Sequence, residues 1–408
     1  MQVVVPARLG TSFRWLVGSS WTSNLGDGIA LAAGPLLVAS LTRDAFLVSL
    51  AATVQWLPPM LFGLFAGAVT DRVDRRLLVV SVNLVRVVVL GVLTAALATT
   101  AVPIAAVLGA LFALGTAEVF ADNATSTLLP TLLAREDLAV GNARLQAGLI
   151  TMNQLAGPPV GAALFTVGAA WAFGATAVLI ALAAVLVSRI VLPPTGRDAD
   201  RPTRLHADIA EGARWVRHHP AVRTLVLTIF IFNLTYGAAW GVLVLYTAQR
   251  LGLGEVGYGL VTTVIAGGGL LGTVSYGWIT RRVSLSDLLR IGLVIETLTH
   301  LALALTRSPW VAMPVFFVFG VHAFVWSTTS ITIRQRAVPR QLQGRVGSVN
   351  LVGTTGGLVI GSLLGGVLAQ VHGVTAPFWF AFVGSAVFVV AIWRPLRHVA
   401  HADESPAG

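Results

Sequence analysis

Four ionisable side chains stand inside long apolar runs: Asp27, Arg86, Glu118 and Asp122. A charge at bilayer depth is expensive, so each is a functional candidate. At a helical rise of about 1.5 Å per residue, Arg86 stands roughly 15 Å in from the Arg76 end of its run, Asp27 about 20 Å in from Arg14, and Glu118 and Asp122 about 18 and 12 Å in from Pro130. The four are placed to share one polar layer. Glu118 and Asp122 are one helical turn apart and face the same side. Two carboxylates that close in a low dielectric cannot both stay ionised cheaply, and one of them is inclined to hold a proton. Such a carboxyl can load a proton on one side of a membrane and release it on the other, with Glu118 or Asp27 as the acid. The competing reading is a structural ion pair with Arg86 or with the arginines at 72–76. For Asp122, nearest the polar end of its run, the structural role is preferred.

Further along, Glu296 and His300 share a helical face, and His322 lies in the next apolar run. Glu296 and His300, four residues apart, are expected to satisfy each other. His322 is read first as a packed core histidine, with a neutral imidazole that binds substrate or relays a proton as the alternative. Asn24, Gln55, Gln154, Asn233, Trp240, His322, Phe324 and Trp326 offer polar and aromatic lining for an amphipathic small molecule. Other chemistry is missing. The chain has no phosphate-cradling Walker loop, no His-Glu-x-x-His and no Gly-x-Ser-x-Gly at a water-accessible position. It has no cysteine, which excludes disulfides and thiolate metal sites or nucleophiles. No enzymatic activity, cofactor or metal ion is expected. Gly267-Gly268-Gly269 lies inside an apolar run and fits tight helix packing better than a nucleotide loop.

The elements that must position these groups are set by composition. Over 408 residues, 56% are hydrophobic and only 11% charged, with mean hydropathy +0.82. Soluble domains carry about 25% charge, and a water-soluble chain of this length lacks the charges to cover its surface. The net charge of +10 comes entirely from arginine, since lysine is absent. The arginines sit in short clusters between apolar runs rather than on one face, which points to a lipid bilayer and not to nucleic acid. About a dozen residues precede the first apolar run, without a small-residue cleavage pattern, so no removable signal peptide is expected.

Hydropathy predicts twelve spans: 13–41, 46–70, 77–99, 102–129, 143–167 and 169–191, then 222–248, 256–280, 285–306, 310–333, 346–371 and 376–393. Loops of one parity hold Arg72, Arg75, Arg76, Arg135, Arg197, Arg201, Arg204, Arg214, Arg217, Arg281, Arg282, Arg334, Arg336 and Arg340. Those of the other parity hold Arg43, Arg250 and Arg307. The positive-inside rule therefore puts the first set and both termini in the cytoplasm. The long polar connection, 192–221, opens with Pro193-Pro194. It continues as an amphipathic helix with Leu205, Ile209, Ala213 and Val216 at helical spacing, expected to lie along the membrane surface. It divides the chain into a six-span bundle at 1–191 and another at 222–397, followed by a polar tail at 398–408.

The two halves repeat one another. Asn24-Leu25-x-x-Gly28 recurs as Asn233-Leu234-x-x-Gly237. Gly67-x-x-x-Asp71-Arg72 recurs, with the acid lost, as Gly277-x-x-x-Arg281-Arg282, and Gly157-x-x-x-Gly161 recurs as Gly357-x-x-x-Gly361. Three matches in the same order imply a duplicated six-helix unit, an arrangement known from transporters with substrate between the halves.

The loop Gly67-Ala-Val-Thr-Asp71-Arg72-Val-Asp74-Arg75-Arg76 resembles the signature loop of the major facilitator superfamily, with Asp74 where many members have glycine. Ser23-Asn24-Leu25-Gly26-Asp27-Gly28, Leu129-Pro130 with Arg135-Glu136-Asp137-Leu138 and Asn142, and Arg334-Gln335-Arg336-Ala-Val-Pro339 with Gly344-Arg345 are similar to its enterobactin-exporter and macrolide-efflux branch. The resemblance implies an all-α membrane protein of twelve spans in two pseudo-symmetric bundles, acting by alternating access as a monomer in a bacterial inner membrane. It implies proton-driven efflux of a drug, macrolide or siderophore; an uptake carrier and a non-transporting sensor are the alternatives. Gly67, Asp71, Arg72, Arg75 and Arg76 would form a conformational latch, small Gly67 letting two helices approach and the arginines closing the cytoplasmic face through ion pairs; a plain topology anchor obeying the positive-inside rule is the alternative. Gly157-Pro158-Pro159-Val160-Gly161 resembles the glycine-proline motif of antiporter-type exporters, a plain kink being the alternative. In this fold spans one and four line the central cavity, which favours Asp27 and Glu118, while span nine is peripheral.

Overall fold

The computed structural model describes residues 9–70, 72–99, 101–192 and 205–395, all of it helix, turn or irregular chain. Asp71, Pro193-Pro194 with Arg197, Arg201 and Arg204, and the tail at 398–408 lie outside the described residues. In chain order the helices are α1 (Gly10–Leu41), α2 (Ala45–Thr70), α3 (Arg75–Thr99), α4 (Ile104–Leu132), α5 (Leu138–Gly148), α6 (Gly157–Val167) and α7 (Ala169–Ser188). They continue as α8 (Leu205–His218), α9 (Pro220–Trp240), α10 (Leu243–Gln249), α11 (Glu255–Ile279), α12 (Leu285–Leu305), α13 (Pro309–Ala337), α14 (Gln343–His372) and α15 (Ala376–Ile392). Among the described residues ten helices are long and apolar enough to cross a membrane, and α15 is a shorter apolar helix.

Helix α3 shows what solvent these helices are built for. Its buried stripe is Val79, Asn83, Arg86, Leu90 and Leu93, at helical spacing and with two polar members. Leu77, Leu84, Val85, Val88 and Val92 are 53–66% exposed on its other faces. In water that distribution would be inside out. In hydrocarbon it costs nothing, because the apolar residues meet lipid while the backbone groups bond within the helix.

Two predicted spans are interrupted. The stretch expected as one span at 143–167 is α5, a π-helical segment (Leu149–Ala156) and α6. Pro158 and Pro159 open α6; lacking N–H donors, they cannot continue the α-type ladder from the preceding turn. The carbonyl of Leu155, four residues before Pro159, instead accepts a hydrogen bond from the Thr263 hydroxyl at 3.2 Å. The span expected at 222–248 breaks after Trp240, where Gly241 lies so close to Ser362 that a Cβ would come within 2.9 Å of its Cα.

The chain forms two compact units. Unit 1 is Met1–Leu41, Leu61–Thr203 and Glu255–Thr263; unit 2 is Thr42–Met60, Arg204–Gly254 and Val264–Gly408. Each unit thus takes in the first turns of a helix whose remainder belongs to the other. In unit 1, Gly259 of α11 packs on Pro158, Pro159 and Ala162. In unit 2 the start of α2 packs on α14: the Thr53 and Ser362 hydroxyls are 2.8 Å apart, and the Ala45 amide donates to Gln370 Oε1 at 2.7 Å.

Helix α8 uses its apolar face differently from the surface-lying helix expected. Gly212 and Val216 are buried while Ala213 is exposed. Val216 clusters with Val222, Val338 and Val346, Gly212 touches the Arg345 backbone, and Glu211 pairs with Arg345. That face is occupied by protein rather than left for lipid.

Candidate functional site

The repeated glycines set the frame. In unit 1, a Cβ on Gly157 would lie 2.7 Å from the carbonyl carbon of Gly28, and one on Gly161 would lie 2.8 Å from Ile29 Cα. In unit 2, a Cβ on Gly357 would lie 2.7 Å from the Phe230 oxygen, and one on Gly237 2.6 Å from the Leu358 oxygen. Two of the three motif pairs therefore meet in one contact in each unit, α1 on α6 and α9 on α14. The glycines bring backbone to backbone.

On this frame, unit 1 gathers the four charges. Asp27 on α1 and Arg86 on α3 form a buried ion pair, their side chains 6% and 3% exposed. Ser23 Oγ donates to Asp27 Oδ2 at 3.1 Å, and Arg86 Nη1 reaches Asn83 Oδ1 at 3.5 Å. Glu118 and Asp122 on α4 interact electrostatically with Asp27 and Arg86. Glu118 is half-buried and Asp122 exposed. Neither makes an ion pair or hydrogen bond among the described residues. One guanidinium thus pairs with Asp27 and lies within electrostatic range of Glu118 and Asp122. Ser23 and Asn83 escaped the sequence reading although each sits one turn before its partner, a spacing that marks helical neighbours.

The signature loop is partly visible. Asp74, in the place of glycine, accepts the Leu77 amide at 3.0 Å and caps the start of α3. Arg76 Nη1 donates to the Ile190 carbonyl at 2.9 Å, beyond the end of α7, and Arg75 Nη1 to the Thr127 carbonyl at 3.3 Å on α4. Arg76 thus holds a backbone carbonyl where an ion pair was expected, as suits a cation beside a helix C-terminus. Arg72 is exposed. The close approach assigned to Gly67 is absent: a Cβ there would meet only the Asn123 amide, at 3.9 Å.

The lining candidates divide between the units. Asn24 and Gln154 fall in unit 1; Gln55, Asn233, Trp240, His322, Phe324 and Trp326 fall in unit 2. Asn24 and Asn233, equivalent in the repeat, each donate to the carbonyl four residues back, at 2.7 Å. Trp240 belongs to an aromatic cluster that sequence reading did not single out: it stacks on Tyr236 at 4.5 Å, lies 4.6 Å from Phe319, and meets Phe316 and His300 edge-on at 6.1 and 6.0 Å. His322 meets Phe319 at 5.3 Å. Glu296 and His300 do not satisfy each other as expected. His300 Nε2 and Glu296 Oε1 are 3.9 Å apart, and both His300 ring nitrogens lack a hydrogen-bond partner. His300 is fully buried, its ring edge-on to Trp240. Counted from the caps Asp74 and Ser284, Arg86 and Glu296 hold the same position, so the second unit carries an acid where the first has a base.

Comparison with known proteins identifies the family and the fold. A sequence profile of the family described as transmembrane secretion effectors matches residues 4–407. A multidrug efflux pump, Tap, from Mycolicibacterium fortuitum is 28% identical over 92% of this chain and 93% of its own. A macrolide efflux protein A from Streptococcus pyogenes is 23% identical over 87% and 88%. The crystal structure of a bacterial homologue of the iron transporter ferroportin in an inward-facing state superposes with a TM-score of 0.70 at 17% identity, covering 93% of this chain and 98% of that one. At that identity the likeness shows the fold alone.

Proposed function

The chain belongs to the transmembrane secretion effector family of the major facilitator superfamily, and from that premise we propose that it is a proton-driven exporter of amphipathic small molecules. It has twelve spans in two six-helix halves, 1–191 and 222–397, with the connector at 192–221 and both termini in the cytoplasm, and it works as a monomer. The names of its relatives support outward transport of drugs and macrolides; a siderophore is the third class considered. The carrying observation is the surplus of acid in unit 1: Asp27 is paired with Arg86, while Glu118 and Asp122 share the same guanidinium's field.

Chemically, that surplus makes Glu118 the coupling acid. When Glu118 is ionised it competes with Asp27 for Arg86. When it takes a proton, Arg86 returns wholly to Asp27 and the layer loses a negative charge, so a proton entering from outside resets the arrangement that substrate biases. Asp122 lies one turn away on the same helix. The π-helical segment and the Pro158-Pro159 kink give α1 a deformable neighbour, and Arg75 and Arg76 brace α3 against α4 and α7 so that unit 1 moves as one piece. The aromatic faces of Tyr236 and Trp240 offer the surface for an apolar substrate.

Inverted membrane vesicles energised by respiration test this with a panel of amphipathic dyes and macrolides. Wild-type vesicles should accumulate at least one compound, an uncoupler should abolish accumulation, and Glu118→Gln should reduce it to the passive level. Accumulation that persists unchanged with uncoupler and in Glu118→Gln overturns the proton-coupled reading.

A further inference from the structure

Unit 2 holds a buried polar group that the coupling scheme above does not use. Helices α9, α12 and α13 converge on Trp240, Glu296, His300, His322 and Trp326. His300 is 0% and His322 6% exposed. Both nitrogens of each imidazole, together with the indole nitrogen of Trp326, are buried and without a hydrogen-bond partner. The space is built for them: Gly292 on α12 leaves room for α13, since a Cβ there would lie 2.7 Å from Trp326 Cδ1 and 3.5 Å from His322 Nδ1.

Five unsatisfied nitrogens in one place are not tolerable in a finished interior, because each forfeits its hydration with no return. Each neutral imidazole has one donor and one acceptor, the indole only a donor. A group that satisfies these nitrogens must both donate and accept in several directions. Water does this, and a polar cavity with several partners is where buried water is found. The other titratable groups around the site are few. Tyr236 on α9 flanks Trp240, α15 contributes no ionisable residue along its length, and Arg290 on α12 is turned away to the Trp393 carbonyl at 2.7 Å.

We propose that Glu296, His300 and His322 form a second proton-binding site, inside unit 2, in which one proton is shared between carboxylate and imidazole across buried water. At 3.9 Å, Glu296 and His300 are too far apart for a direct hydrogen bond but within reach through one water. A single proton on the pair leaves it without net charge, as neutral carboxyl with neutral imidazole or as carboxylate with imidazolium. Its loss leaves one negative charge, which a cationic substrate group beside Trp240 can take the proton's place in balancing. This deepens the proton-driven reading by giving each unit its own acid; the site's existence does not depend on the Glu118 assignment.

Infrared difference spectroscopy of the purified full chain in nanodiscs, stepped in pH, tests the site without any substrate. The wild type should show a protonated-carboxyl band that shifts in heavy water and is lost in Glu296→Gln. It should persist in Glu118→Gln, change frequency in His300→Asn, and respond to His322→Asn. Thermal unfolding identifies variants that fail to fold, and Trp326→Phe, which removes one orphan donor and leaves a smaller aromatic ring, should stay folded and shift the band slightly. A spectrum of Glu296→Gln identical to the wild type, or a Glu296 band indifferent to both histidine variants, overturns the shared-proton site. If the Glu296 band behaves as expected while Glu118→Gln leaves transport intact, unit 2 keeps its site and the coupling role of Glu118 falls.

Discussion

Gly28, Gly157 and Gly161 seat α1 against α6 in unit 1, and Gly237, Gly357 and Gly361 seat α9 against α14 in unit 2, with nearly the same clearances. What the two units hold inside that shared frame differs. One step before the repeated glycine, unit 1 has Asp27 and unit 2 has Tyr236; twelve residues after the helix cap, unit 1 has Arg86 and unit 2 has Glu296. Unit 1 satisfies its buried charge with an opposite charge. Unit 2 surrounds its acid with imidazole and aromatic rings and leaves polar nitrogens open. Backbone approach admits only glycine at the contact, whereas a side chain inside a unit is constrained only by what must neutralise it. Frame and chemistry can therefore diverge independently.

The largest expected effect breaks the charge balance of unit 1. Arg86→Met removes the cation that pairs with Asp27 and should destabilise the protein by about 3–5 kcal/mol at neutral pH, as for other broken buried pairs. Protonation neutralises the stranded acids, so the loss should shrink as pH falls, and thermal unfolding across pH in detergent measures both. Asp27→Leu in the Arg86→Met background should recover part of the loss. A pH-independent penalty would mean that Glu118 and Asp122 do not feel Arg86.

Next come the glycines. Gly161→Val and Gly361→Val should each cost about 1–3 kcal/mol through overpacking, and by similar amounts. A large loss in one and none in the other would break the equivalence of the frames. The caps are smaller: Asp74→Ala and Ser284→Ala should each cost about 0.5–2 kcal/mol of helix stability, read from the same unfolding curves. Ser284 accepts the Asp287 amide at 3.1 Å as Asp74 accepts that of Leu77. Smallest of all is Gly67→Ala, whose Cβ meets only the Asn123 amide at 3.9 Å and which should be neutral or stabilising by up to about 1 kcal/mol from helix propensity. A marked loss would restore the close-approach reading of that glycine.

Much of the frame was legible in the sequence because lipid leaves few choices. Spans must be long, apolar and helical, and most predicted spans fall within a few residues of α1–α4, α7 and α11–α15. The repeat was legible as well, though not its purpose, since a pattern of glycines along the chain does not say which helix each one meets. The prolines at 158 and 159 marked a break but not a π-helical register, which depends on where the freed carbonyls find partners such as Thr263. Spacing put Asp27, Arg86, Glu118 and Asp122 at one depth, and the structure pairs Asp27 with Arg86 within electrostatic range of the other two. Spacing misled for Glu296 and His300, because a shared helical face fixes direction and leaves the last ångström open. The aromatic cluster around Trp240 has no one-dimensional signal, as Phe316 and Phe319 arrive from a helix far along the chain.

The claim that Glu118 couples protons to export is tested most directly in proteoliposomes by comparing two reactions of one variant. Net transport of a dye found to be a substrate, driven by an imposed pH gradient, requires the carboxyl to gain and lose its proton. Exchange of labelled for unlabelled dye at equal concentrations does not. Glu118→Gln should lose gradient-driven accumulation while keeping exchange near the wild-type rate. Gradient-driven accumulation at the wild-type level in Glu118→Gln would contradict the account.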